Sequence, residues 1–527
     1  MKNSIKFLIL SVLFSGLISS CADDYLDTVP TDKVDGTTIF KDANSAQTAI
    51  NGSYSMLWRA AFGSSNTTHS YGHQSTLFAQ DLMADDAVQM AFNWFGWDYD
   101  LDYTSRINVG TGSRSYNVWN MLYTVISNVN YIIAEDGKIA GDQTLANSIV
   151  AQAYALRAFC YFELIQGFQK TYLGNENAPG VPVYTEPTRA GDEGKPRGTV
   201  AEVYTRINED LESAIALFTS IGKPKQSHCS NIDYYVAKGF QARVALVQGK
   251  WDLAYSAANE AMSRTGLRLL NSSEILDGMS DLSLASNLWV MEMIPDQSPI
   301  YGSLYCFLDP YTSTAYGNQQ RKCISSWLYD KIANPEFDDA RADWFKDENQ
   351  GSAKNGINVN YGQMKRLAKE LANWVGDIIY MRGEEMLLIK AEAKARLGSY
   401  GEARQLLNEL AAVRLKTSAA REAYSTYLDG LDNAFTIPTA DTNVNPSNVL
   451  EEVILQRRIE LWGELGRIKD ILRLKQGYNR VYAGSNHVEP LVGINTGPES
   501  GAFLFKIPQT EFDGNTNILS SEQNPTN

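Results

Sequence analysis

Between residues 200 and 218, Val203, Ile207, Leu211, Ile215 and Phe218 recur every three or four residues. That period predicts a helix with one buried face. Thr199-Val200-Ala201-Glu202 in front of it is a capping-box signature, and Gly222 and Pro224 behind it are stop signals. Residues 148–169 place Ile149, Ala153, Phe159, Phe162 and Ile165 at similar spacing and predict a second helix. Near the C-terminus, Leu450, Ile454, Leu461, Leu465, Ile468 and Leu472 predict one apolar helix stripe. The pairs Arg457–Glu460, Glu464–Arg467 and Arg467–Asp470 lie at i,i+3 along it, a structural rather than catalytic arrangement.

Two segments share a finer pattern. One runs from Ala242 through Gly249 and Trp251 to Ala254, Ala258 and Ala261; the other from Ala391 through Gly398 and Tyr400 to Ala403, Leu407 and Leu410. In both, a glycine ends the first helix, an aromatic follows two positions later, and small or apolar residues let a second helix pack closely. This is the helix–turn–helix pattern of a tetratricopeptide repeat. The copies are about 150 residues apart, so they are not a tandem array.

Two stretches break the helical period. Residues 90–119 hold Trp94, Phe95, Trp97, Tyr99, Tyr103, Tyr116 and Trp119; residues 299–320 hold Tyr301, Tyr305, Phe307, Tyr311 and Tyr316 among Gly302, Pro310 and Gly317. Long irregular segments are uncommon unless they carry function. The whole chain has 28 Tyr against 19 Phe, which favours rings that stack and hydrogen-bond at a wet surface.

The N-terminus reads as an export signal. Lys2 and Lys6 precede an apolar run from Phe7 to Ile18, about 18 Å long as a helix and too short for a ~30 Å hydrocarbon core. Leu17-Ile18-Ser19-Ser20 followed by Cys21 resembles the lipobox of bacterial lipoproteins, in which the cysteine is acylated. Forty-six Lys and Arg against 61 Asp and Glu give a net charge of −15, which argues against a broad nucleic-acid footprint.

Candidate chemistry is sparse. His69 and His73 are four apart, but Gly72 and the Ser/Thr-rich lead predict a loop, and no third metal ligand is apparent. Asp98, Asp100 and Asp102 have the spacing that opens a calcium loop, but Tyr103 and Val109 stand where glycine and glutamate are needed. No metal or cofactor is expected. Cys160, Cys229, Cys306 and Cys323 are read as mostly buried free thiols, with a Cys306–Cys323 pairing left open. Asp85, Asp86 and Asp98 are acids that a glycoside hydrolase could use.

Four motifs in order resemble the SusD/RagB family of surface lipoproteins. They are Cys21-Ala22-Asp23-Asp24-Tyr25-Leu26-Asp27; Ala155 to Leu164 with Gly180-Val181-Pro182-Val183-Tyr184; Arg457-Arg458-Ile459-Glu460-Leu461 with Glu464, Gly466-Arg467, Asp470 and Arg473; and Ile507-Pro508-Gln509-Thr510-Glu511 with Asn515 and Gln523-Asn524-Pro525. Gln456 departs from the family's glutamate, Ile468-Lys469 from its Trp-Phe, and the tail lacks the final aromatic.

The resemblance implies a mainly α, SusD-like fold: a tetratricopeptide-like helix-pair scaffold with long, loop-rich aromatic inserts and few short strands. Residues 1–20 would be the signal peptide and 21–527 one domain. The scaffold would lie near 40–60, 115–265 and 380–476, the ligand-region inserts near 62–115 and 266–380, and an irregular tail at 477–527. The implied function is non-catalytic capture of an oligosaccharide at the outer membrane, with the protein anchored through Cys21 and facing the exterior. The ligand would pass to a SusC-type TonB-dependent barrel transporter. Peptide capture is the alternative, and a surface glycoside hydrolase ranks below both. Trp94, Trp97, Tyr99, Tyr301 and Tyr305 are expected to form the ligand platform, with Asp98 binding hydroxyls.

Overall fold

The computed structural model describes residues 42–58, 71–89, 109–189, 191–298, 303–312, 315–318, 321–346, 361–487 and 497–525. Its scaffold helices are α1 (Ala43–Trp58), α2 (His73–Leu82), α3 (Arg114–Ile133), α4 (Gln143–Phe168), α5 (Val200–Ser220), α6 (Tyr234–Val247), α7 (Trp251–Met262), α8 (Gly383–Arg396), α9 (Tyr400–Arg414), α10 (Ser418–Gly430), α11 (Val449–Glu460) and α12 (Arg467–Arg473). The fold is mainly helical, as expected. Among the described residues no helix is long and apolar enough to cross a membrane.

Helices α3 to α7 pack each on the next, and α1 lies against α3 and α4. Helix α4 is buried on almost every side. Its Arg157 gives Nε and Nη2 to Asp210 of α5 at 2.8 and 2.6 Å and Nη1 to Asn130 of α3 at 2.6 Å. One side chain thereby ties three helices, which gives the Ala155–Leu164 motif a packing role.

The two repeat-like pairs are α6–α7 and α8–α9, and their turns match. Lys250 N–H donates to the Ala245 carbonyl and Ser399 N–H to the Lys394 carbonyl, each at 2.9 Å. Gly249 (φ 69°) and Gly398 (φ 76°) supply the left-handed residue that this helix ending requires. Although distant in sequence, the pairs are adjacent in space: α7 packs directly on α8. Arg396 lies over the Trp251 ring at 5.2 Å and Lys394 over Tyr255 at 4.2 Å. The second insert is therefore looped out of a continuous helical stack.

The capping box before α5 forms as expected. Thr199 Oγ1 accepts from Glu202 N–H at 3.2 Å, and Glu202 Oε2 accepts from Thr199 N–H at 2.7 Å. Replacing Thr199 by alanine should lower stability by about 1 kcal/mol. The urea midpoint reads this, and an unchanged midpoint would show that the cap contributes nothing.

Strands are few and short: β1 (Ala87–Gln89), β2 (Pro179–Pro182), β3 (Arg197–Thr199), β4 (Asn287–Met291), β5 (Lys322–Ile324), β6 (Phe345–Lys346), β7 (Gly362–Gln363) and β8 (Ile378–Arg382). Antiparallel β4 and β8 bracket most of the second insert, with Met291 opposite Ile378, and β8 runs straight into α8. A four-stranded sheet of order β1-β5-β7-β6 joins the first insert to the second, with Gln89 opposite Lys322. Tyr71, Phe78, Phe307, Trp344 and Trp462 pack into the hydrophobic core beneath it.

Two expectations fail here. The C-terminal stripe is not one helix: α11 ends at Glu460 and α12 begins at Arg467. Gly463 (φ 71°) and Gly466 (φ 79°) turn the chain between them. His73 lies not in a loop but in the first turn of α2, buried, with Nε2 2.9 Å from Glu163 Oε2.

Candidate functional site

The inserts are fixed to the scaffold by buried ion pairs. Asp85 and Asp86 stand just before β1. Arg458 of α11 reaches Asp85 at 3.1 Å and Asp86 at 2.6 Å, and Arg467 of α12 reaches them at 3.2 and 2.9 Å. Burial opposes ionisation of Asp85, but Arg467 and Arg458 outweigh it and hold the carboxyl well below its usual range. Asp85 is thus held ionised, whereas burial and the neighbouring Asp85 charge move Asp86 the other way, above its usual range, although it too meets Arg458 and Arg467.

The turn between α11 and α12 grips the second insert. Glu460 is fully buried and faces three guanidinium groups: Arg341 at 3.1 Å, Arg382 at 2.7 Å and Arg414 at 2.7 Å. Glu464 pairs with Lys365 at 2.5 Å and Arg382 at 2.8 Å. Burial would raise Glu464, yet Arg382 and Lys365 hold it at about 2. Lys365 also donates to the carbonyls of Glu460 and Trp462, each at 2.8 Å. These partners differ from the expected i,i+3 pairs. Arg457 instead meets Asp470 at 2.8 Å across the turn, and Arg467 meets the first insert. The constellation is structural, as read, but its contacts are long-range.

Of the predicted ligand residues, Trp94, Trp97, Asp98, Tyr99 and Tyr301 lie outside the described residues, as do Cys21 and His69. Tyr305 is described, and it is a correction. It is 1% exposed, with its hydroxyl donating to the Asp377 carbonyl at 2.9 Å and its ring packed so close to Gly376 that a Cβ there would lie 2.5 Å from it. A ring that walled in offers no face to a ligand; it holds the second insert together. Cys306 and Cys323 are both buried, and no disulfide joins them. Among the described residues no group of three or more His, Cys, Asp or Glu is placed to hold a metal ion.

A groove of about 300 Å³ opens where the first insert returns to the scaffold. The Val109 carbonyl there accepts from Gln509 N–H at 2.9 Å. Half-buried Tyr116, Tyr123 and Tyr184 line it, with Tyr123 and Tyr184 5.9 Å apart at 88°. Asp192, Glu193 and Glu511 line it too, and Trp119 Nε1 donates to Glu511 at 3.1 Å. Aromatic rings together with carboxylates suit a ligand with a C–H face and a hydroxyl rim. Sequence reasoning missed this groove. The i, i+3, i+7 spacing of Tyr116, Trp119 and Tyr123 was its signal, but Tyr184 and Glu511 come from distant segments.

The comparisons with known proteins agree with this architecture. A family model described as starch-binding and associating with the outer membrane matches residues 24–246, and the SusD family model matches 310–526. The chain belongs to the SusD/RagB family. SusD-like protein P38 from Formosa agariphila is 24% identical, covering 89% of this chain and 91% of that protein. SusD-like protein P2 from the same organism is 24% identical over 98% of both chains. Among solved structures, a SusD-like carbohydrate binding protein from Bacteroides vulgatus superimposes with a TM-score of 0.73 at 24% identity. The match covers 92% of this chain and 99% of that one. Surface glycan-binding protein A from Bacteroides thetaiotaomicron does so with a TM-score of 0.66 at 17% identity, covering 92% and 100%. This chain shares the fold of these solved structures over 92% of its length.

Proposed function

We propose that this SusD-like chain captures an oligosaccharide at the outer cell surface without cleaving it and passes it to a SusC-type TonB-dependent barrel. Membership of a family whose model is described as starch-binding carries the reading. The Cys21 lipobox supports lipid anchoring, and the similar fold of a laminarin binding SusD-like protein supports a glycan ligand. Trp94, Trp97 and Tyr99 with Asp98, joined by Tyr301, supply ring faces and a hydroxyl acceptor for that ligand. The sheet shared by both inserts and the groove beside Val109 support placing it there.

Calorimetric titration with maltohexaose and laminarihexaose, with reducing ends assayed in the same tubes, tests this. Binding without release of reducing ends is expected, and Trp94→Ala with Trp97→Ala should weaken it at least about tenfold. Binding only to peptides, or cleavage, would overturn the reading.

A further inference from the structure

We propose that the groove between the Asp330–Asp339 segment and helices α9 to α11 is a second saccharide site, selective for neutral oligosaccharides. It rests on the reading that this chain binds saccharide but shares no residue with the insert platform. The groove encloses about 600 Å³, within the range of ligand pockets. Its wall is aromatic. The Phe337 ring stands 5.3 Å from Tyr424 at 87° and 5.5 Å from Tyr427, and both Phe337 and Tyr427 are only half-buried. Phe337 and Tyr427 also line a second hollow of about 640 Å³. The rings therefore form a ridge between two concavities, a shape that suits a chain of sugars more than a single one.

The floor carries a carboxylate in an unusual state. Glu452 is 1% exposed and accepts from Tyr424 OH at 2.7 Å, Gln456 Nε2 at 2.8 Å and Tyr427 OH at 3.0 Å. Among the described residues no lysine, arginine or histidine forms an ion pair with it. Burial pushes its carboxyl above the usual range. The three donors fix its orientation, and a carboxylate has about four lone-pair sites, so one remains for a ligand hydroxyl. Gln456 is fixed in turn, its Oε1 accepting from Arg341 at 2.6 Å. A glutamate at 456 would not donate to Glu452 in this way when ionised.

Charge selects among glycans. Asp330, Glu336, Asp339 and Glu452 face Lys331 and Arg341, and Arg341 is already consumed by Asp339 at 2.6 Å and Glu460 at 3.1 Å. Uronate or sulfate groups would meet net negative charge there.

The test is titration of the full chain with maltohexaose, laminarihexaose and an oligogalacturonate hexamer. Three variants accompany it: Phe337→Ala; Asn445→Trp, which fills the groove from an exposed position; and the Trp94→Ala/Trp97→Ala pair. A second binding event is expected with at least one neutral hexamer and none with the uronate. It should weaken about tenfold in both groove variants and survive in the tryptophan pair. If the tryptophan pair loses all binding, or the groove variants titrate like the unaltered chain, the second site is refuted while the platform reading stands. Binding of the uronate that Asn445→Trp abolishes would refute the selectivity. No binding by either neutral hexamer would refute both readings.

Discussion

Replacing Glu460 by alanine is expected to destabilise the protein by about 3–5 kcal/mol, the cost of breaking a buried ion pair by removing one partner. Glu460 is 0% exposed and answers Arg341, Arg382 and Arg414, which are 2%, 1% and 0% exposed. These arginines come from the second insert, the end of β8 and the end of α9, so the loss reaches three elements at once. Asp339 retains Arg341, and Glu384 remains near Arg382 and Arg414 at 3.0 Å from each, so the guanidinium groups are not wholly abandoned. Urea unfolding at neutral pH measures the effect. The half-exposed pair Lys394–Glu402 is the control, because removing it should cost under about 1 kcal/mol. Equal effects from the two substitutions would show that the hub adds nothing beyond a surface pair.

That hub also marks where the sequence stops being readable. The helix pairs were legible because each element repeats a local rule: period, capping box, glycine at the turn. Ala242 to Ala261 and Ala391 to Leu410 announce their helices without help from distant residues. That α7 lies on α8 was not legible, because the contact spans an insert that carries no trace of it. Leu461 and Leu465 fit a continuous stripe, yet Gly463 and Gly466 turn the chain so that Glu464 can reach Lys365 and Arg382. Local spacing paired Arg467 with its helix neighbours, whereas its partners are Asp85 and Asp86 from the far end of the chain. Tyr305 failed for a related reason. A tyrosine in an irregular segment serves equally as ligand platform or core, and only the close backbone of Gly376 decides for core.

The same buried charges predict an asymmetric response to pH. For Glu464 the folded value, about 2, lies below its ordinary 4.5. Its stabilising contribution is present above the unfolded value and is lost as pH falls from about 4.5 through 2, a loss of about 3 kcal/mol. Asp85, Glu163, Glu460 and Asp470 move in the same direction, each against burial: Arg467 and Arg458 prevail at the first, Lys469 and His73 at the second, Arg414 and Arg382 at the third, Arg457 and Arg473 at the last. Asp81 runs the other way. Burial lifts it to about 7, so its contribution is fully present below about 3.8 and is lost as pH rises through 7. Stability should therefore peak near pH 4.5, decline toward pH 7 as Asp81 ionises, and fall steeply below 4. Urea midpoints across pH 2–8 trace this curve. Asp81→Asn should flatten the neutral side and Glu464→Gln should shallow the acid limb. A midpoint that stays level from pH 5 to 2.5 would mean that these carboxylates are not held by their arginines and lysines in the folded protein.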